Sequence, residues 1–121
     1  MNGRTILVIE DCDEIRGIVS RMLAMAGYEV QQANNVVHAL ESLATFRPDA
    51  LVTDVVLPDG NVDDIISAAG DFRERIPVIA MSGYHRNGLG SMPGTVAYLE
   101  KPFKSVELIQ AVDAACLKLA K

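Results

Sequence analysis

TILVIEDCDEIRGIVSRMLAMAG, residues 5–27, is the stretch that decides the fold. Its first five residues, Thr5 to Ile9, form an unbroken aliphatic and β-branched run, the composition of a strand covered on both faces. The run stops at Glu10 and Asp11, and the period of the pattern then changes. Ile15, Ile18, Val19, Met22, Leu23 and Ala26 recur at helical spacing, and Gly27 follows as the stop. Met22 and Met25 read as core filler on this helix, and Asp11 or Asp13 as its cap. A buried strand leading directly into an amphipathic helix is the repeating unit of a parallel α/β sheet.

The unit recurs along the chain. Further strands are expected over Tyr28 to Ala33, Ala50 to Thr53, Pro77 to Ala80 and Val96 to Leu99. A second helix is expected from Asn35 to Phe46, capped by Asn34 or Asn35, with Val36, Leu40, Leu43 and Ala44 inward and His38 on the surface. A short third helix is expected over Val62 to Phe72. The last starts near Ser105 and turns Leu108, Ile109, Val112, Cys116 and Leu119 inward. Between Ser82 and Val96 the run GYHRNGLGSMPGT holds four glycines and a proline, which resist a long helix. The expected fold is therefore a five-stranded parallel sheet, doubly wound, in a flavodoxin-like three-layer α/β/α arrangement whose fourth helix is short or irregular.

Composition narrows the function. The chain has 121 residues, half of them hydrophobic and 22% charged, which suits one compact domain over residues 1–121 with no output domain. A formal charge of −5 with scattered Lys and Arg argues against direct nucleic-acid binding. Cys12 and Cys116 have neither the number nor the spacing of a disulfide framework or zinc site. The N-terminal residues resemble neither a secretory signal nor a membrane span, so a cytoplasmic setting without membrane contact is expected.

In an open parallel sheet, ligands bind beyond the C-terminal ends of the strands, and here those ends carry chemistry. Glu10 and Asp11 follow the first strand, Asp54 the third, Ser82 the fourth and Lys101 the fifth. Three carboxylates brought together repel one another unless a cation sits among them. Hard oxygen donors with room for water suit Mg2+. Lys101 adds a positive charge and Ser82 a hydroxyl, so the set can hold an anion beside the metal, and a phosphoryl group fits. Taken singly, each residue has a plainer explanation as a helix cap, a surface lysine or a turn serine. Their coincidence at the ends of different strands argues for a site.

The runs ILVIEDCDEIR (6–16), PDALVTDVVLPDGN (48–61), IPVIAMSG (76–83) and YLEKPF (98–103), in that order, resemble the receiver domain of two-component response regulators across nearly the whole chain. The resemblance implies that Asp54 is the phosphoacceptor, supplied by a phosphohistidine on a histidine kinase or histidine phosphotransfer protein. It implies that Glu10 and Asp11 hold Mg2+ together with Asp54 and the backbone carbonyl of Val56. Ser82 and Tyr98 become the switch pair that reports phosphorylation to a downstream protein, and Lys101 contacts the phosphoryl group. The Lys101-Pro102 bond is then expected to be cis, a form an X-Pro bond adopts for about 0.5–1 kcal/mol. Such a domain catalyses only its own phosphorylation and dephosphorylation and is otherwise not an enzyme.

Three features depart from the family pattern. Glu10 stands where aspartate is more usual, and the glycine-rich run from Gly83 to Gly94 replaces much of a helix. Val56 and Tyr84, at the positions that tune loss of the phosphoryl group, look unsuited to orienting an attacking water, so slow self-dephosphorylation is expected. Asp11-Cys12-Asp13 after a strand also imitates the nucleophile motif of haloacid-dehalogenase-like phosphatases, but that reading leaves Asp54 idle. A receiver-like interaction domain without phosphorylation is the other alternative, and poor magnesium binding would distinguish it. A dinucleotide-binding domain fits least, because acids follow the first strand in place of a glycine-rich phosphate loop.

Overall fold

The computed structural model describes residues 4–54, 56–61, 65, 76–82 and 95–119. Strand β1 (Thr5–Ile9) leads into helix α1 (Asp13–Met25), then β2 (Glu29–Ala33), α2 (Val36–Thr45) and β3 (Ala50–Asp54). A small antiparallel hairpin follows, β4 (Val56–Leu57) with β5 (Gly60–Asn61), and then come β6 (Val78–Ser82), β7 (Thr95–Glu100) and α3 (Ser105–Leu119). The five long strands form one parallel sheet in the order β2-β1-β3-β6-β7. From β1 the chain moves outward to β2 and later returns to β3 on the other side, the reversal that opens a crevice between β1 and β3 in doubly wound sheets.

Side chains alternate across the sheet and build two cores. Ile6, Val8, Ala50, Val52, Ile79, Met81 and Leu99 face α1 and α3, where Val19, Leu23, Leu108, Val112, Ala115 and Cys116 meet them. Leu7, Ile9, Leu51 and Val78 face the other way, onto Val36, Ala39 and Leu43 of α2 and onto Leu57 and Ile65. This two-sided burial explains why β1, β3 and β6 read as continuous apolar runs. The edge strand β2, with sequence EVQQA, is mostly exposed.

The elements match the expected ones closely, with instructive differences. Strands β3, β6 and β7 each run one or two residues further than expected, so Asp54 and Ser82 close their strands rather than follow them. Ile18 and Met25, expected inward, are 54% and 83% exposed. They lie seven residues apart, on one line along α1 that flanks the stripe made by Ile15, Val19, Met22, Leu23 and Ala26. On α2, Ala39 is buried and Ala44 exposed, because the buried face advances by three and four residues through Val36, Ala39, Leu40 and Leu43. His38 is on the surface and Cys116 is buried, as expected.

The helix ends show how local residues set the chain direction. Helix α1 begins at Cys12, which makes no side-chain capping bond among the described residues, so neither Asp11 nor Asp13 is its cap. At its other end Gly27 takes a φ of 98°, the left-handed conformation that glycine adopts without steric cost. The N–H of Gly27 then bonds Ala24 O at 3.0 Å and that of Tyr28 bonds Leu23 O at 3.1 Å, the paired closure that turns a helix into the following strand. Asn35 caps α2 through Oδ1, which accepts from His38 N at 2.8 Å. The expected helix over 62–72, apart from the buried Ile65, and the glycine-rich run with Tyr84 lie outside the described residues. No helix among the described residues is long and apolar enough to cross a membrane.

Candidate functional site at the C-terminal edge of the sheet

Neighbouring strands β1 and β3 bring Glu10, Asp11 and Asp54 to one point. Ligand oxygens of all three carboxylates lie within 4.8 Å of one another. Glu10 is buried, with 1% of its surface exposed, Asp54 is at 9%, and Asp11 faces solvent. Lys101 enters from the end of β7, reaching over β6, a span that calls for a long side chain. Its Nζ lies 2.7 Å from Glu10 Oε1 and 2.7 Å from Asp54 Oδ1. One ammonium thus bridges two carboxylates that would otherwise face each other in a region of low dielectric.

The electrostatics follow from that geometry. Burial, together with the nearby Asp54, raises the Glu10 carboxyl above the ordinary range, although Lys101 and Asp11 draw it back. Burial pulls the Lys101 ammonium down, but its bonds to Asp54 and Glu10 outweigh this and hold it above its usual value. Among the described residues the cluster carries three carboxylates against one ammonium and so attracts a cation. Magnesium takes hard oxygen donors, and the three carboxylates already gather one oxygen each within 4.8 Å of one another. The donor set therefore fits a hard divalent ion with small side-chain adjustments.

Each remaining candidate except Tyr84 has a definite place among the described residues. Ser82, buried at the end of β6, accepts the Lys101 N–H at 2.7 Å through its backbone carbonyl, which locks the ends of β6 and β7 together. The Lys101-Pro102 bond is cis. Tyr98 is half-buried on β7, in register with Ala80. Val56 lies on β4, paired with Asn61 in the hairpin just after Asp54. Tyr84 lies outside the described residues.

Two residues at this edge were missed. Arg16 uses three nitrogens to tie the acid-bearing turn: Nη1 to the Glu10 carbonyl at 2.9 Å, Nε to Gln32 Oε1 at 3.1 Å and Nη2 to Asp13 Oδ1 at 2.7 Å. Its planar fork suits such simultaneous bonds, yet in the sequence it is one charged residue on a helix among several. Asp59, in the turn of the hairpin, accepts from the N–H groups of Val36 and Val37 at the start of α2. Those bonds hold its carboxyl below the ordinary range. The only sequence signal for Asp59 was the turn-forming Pro58-Asp59-Gly60, which carries no hint of a helix some twenty residues upstream.

Comparison with known proteins bears on the family of the chain. The DNA-binding transcriptional regulator NtrC of Rhizobium meliloti (strain 1021) is 36% identical over 118 residues, covering 95% of this chain and 24% of that protein. The response regulator MprA of Mycobacterium leprae (strain TN) is 37% identical over 112 residues, covering 90% of this chain and 49% of its own. The chain thus spans about a quarter to a half of the length of these relatives. A crystal structure of the receiver domain of a sensor histidine kinase from Pseudomonas aeruginosa PAO1, with a magnesium ion coordinated in its active-site cleft, has a TM-score of 0.81 at 27% identity. It covers 95% of this chain and 98% of that one. With residues 6–113 matching the model of the response regulator receiver domain, a stretch from the second residue of β1 to the middle of α3, the chain belongs to that family.

Proposed function

We propose that Asp54 accepts a phosphoryl group from a phosphohistidine on a histidine kinase or histidine phosphotransfer protein, with Mg2+ as cofactor, and that the altered surface regulates a protein partner or passes the phosphoryl group on. The observation that carries this reading is the bridging of Asp54 and Glu10 by Lys101, 2.7 Å from each, inside a cluster of three carboxylates. In the transfer, a carboxylate oxygen of Asp54 bonds to phosphorus as the phosphorus–nitrogen bond breaks, and the imidazole leaves with the electron pair. Lys101 lies where it can exchange a carboxylate oxygen for a phosphoryl oxygen without moving far, and so neutralises charge. Glu10, Asp11, Asp54 and the Val56 carbonyl would hold magnesium, which would supply further positive charge at the phosphoryl oxygens. The related Pseudomonas receiver domain holds magnesium in its cleft, which supports the assignment.

Ser82, at the end of β6, takes the role of the hydroxyl drawn toward the phosphoryl group, and Tyr98 on the neighbouring strand follows it. Phosphorylation at Asp54 adds charge and acceptor oxygens, which is what gives these two side chains a reason to move. The phosphatase alternative draws no support from the site, since Asp11 is exposed while Lys101 engages Glu10 and Asp54. With a formal charge of −5, the domain itself is assigned a protein partner rather than DNA, and a cytoplasmic setting goes with its donors. The test is transfer from a labelled phosphohistidine donor: label should reach the wild-type chain only with magnesium present and should not reach Asp54→Asn. Label on Asp54→Asn at the wild-type rate would overturn the assignment.

A further inference from the structure

The backbone just after Asp54 is anchored by a contact that sequence gives no reason to expect. Among the described residues the hairpin β4–β5 pairs Val56 with Asn61 and Leu57 with Gly60, and a two-stranded ribbon of that length is at best marginally stable by itself in water. On one side it is held by Leu57, which is buried in the core beneath α2. On the other it is held by Asp59, whose Oδ1 accepts from Val36 N at 2.7 Å and Oδ2 from Val37 N at 3.0 Å.

These are the first two N–H groups of α2, which no carbonyl of the helix can satisfy. The third, from His38, is already taken by Asn35 at 2.8 Å. One helix start is therefore closed by two side chains with different reach. Asn35 is local and bonds the first turn of the helix it caps. Asp59 arrives from 23 residues beyond Val36 and cross-links α2 to the loop that begins directly after the phosphoacceptor.

We infer that Asp59 is a positioning residue for phosphoryl transfer: by fixing the turn at Pro58-Asp59 to the N-terminus of α2, it holds the β4 backbone, and with it the Val56 carbonyl, in place for the metal. The inference rests on the proposed function above, through the role given to Val56. A backbone carbonyl has no rotamer of its own and is aimed only by the segment that carries it. A hairpin released from α2 must be ordered again whenever the ion binds, and the loss of such supporting contacts typically weakens metal affinity by about 10–100-fold.

The experiment compares wild type, Asp59→Ala, Asp59→Asn and Asn35→Ala in the full chain. Magnesium affinity is read by amide shifts or calorimetry, and the initial rate of Asp54 phosphorylation by acetyl phosphate is read alongside. Asn35→Ala removes the other cap of the same helix without touching the hairpin, so it reports what fraying of α2 alone does. The expected result is a loss of about tenfold in magnesium affinity for Asp59→Ala, a smaller loss for Asp59→Asn, which keeps one acceptor oxygen, and wild-type affinity for Asn35→Ala. Raised magnesium should restore the phosphorylation rate of the Asp59 variants. Should Asp59→Ala fail to fold, the intermediate loss in Asp59→Asn carries the test. Wild-type magnesium affinity in the Asp59 variants, or an equal loss in Asn35→Ala, overturns the inference alone. A wild-type chain that neither binds magnesium nor is phosphorylated overturns the proposed function and the inference together.

Discussion

Replacing Lys101 with methionine keeps most of the side-chain length and removes the one ammonium that separates Glu10 from Asp54. Both of its contacts are at 2.7 Å, and its partners are largely buried, with 1% and 13% of their side-chain surface exposed. Their oxygens then face each other within 4.8 Å, where two unit charges at an effective dielectric of about 20 repel by about 3.5 kcal/mol. Partial exposure of Asp54 and proton uptake by Glu10 absorb part of this and leave a loss of about 2 kcal/mol at neutral pH. For a chain of this length that corresponds to a fall in melting temperature of about 8 °C. Thermal unfolding followed by circular dichroism in EDTA at neutral pH measures it directly. Two further readings separate charge from packing. Acidification should shrink the gap between variant and wild type, because the Glu10 carboxyl takes up a proton in the folded variant before it would in the unfolded chain. Magnesium should shrink it too, by replacing the lost positive charge. Equal melting temperatures in EDTA, or a gap indifferent to both acid and magnesium, would refute the reasoning and assign Lys101 to packing of its aliphatic stem.

Glu10 has a folded-state pKa above its unfolded one, so its ionisation costs stability as pH rises from about 4.3 through the raised value. Glu10→Gln removes that cost and should melt above wild type in EDTA at neutral pH, with the difference closing toward about pH 4, while magnesium titrations show weaker binding. Tyr28→Phe removes the hydroxyl that donates to the Asp113 carboxylate and ties the start of β2 to α3. It should lower stability by about 1 kcal/mol, read as a lower melting temperature, and leave the rate of Asp54 phosphorylation unchanged. Val56→Ala or Tyr84→Ala should admit water to the phosphoryl group and shorten the phosphorylated lifetime, followed by the decay of label; lifetimes equal to wild type would contradict the expectation of slow self-dephosphorylation.

Residues 5–27 show why so much of this fold is legible. A buried parallel strand and an amphipathic helix differ in period, and the switch from the run Thr5–Ile9 to the spacing of α1 marks both elements and the edge between them. Because parallel strands all end at one edge, locating the ends also located Glu10, Asp11, Asp54, Ser82 and Lys101 relative to one another. What periodicity does not carry is the width of a buried stripe: Ile18 and Met25 are apolar and nearly in phase, yet α1 leaves them outside. Contacts fixed by tertiary structure were also invisible. Nothing local assigns Asp59 to a helix start between β2 and β3, or Arg16 to the carbonyl of Glu10. The hairpin at Val56–Asn61 was not expected, because two-residue strands have no period to detect.

The central claim is that Asp54 takes the phosphoryl group and that a divalent ion is needed for it to do so. Intact mass spectrometry of wild type and Asp54→Ala after incubation with acetyl phosphate, with magnesium or with EDTA, tests it most directly. The account predicts a gain of one phosphoryl group in wild type with magnesium, and no gain with EDTA or in Asp54→Ala. A modification that persists in Asp54→Ala and disappears on replacing Asp11 would contradict it and restore the phosphatase reading.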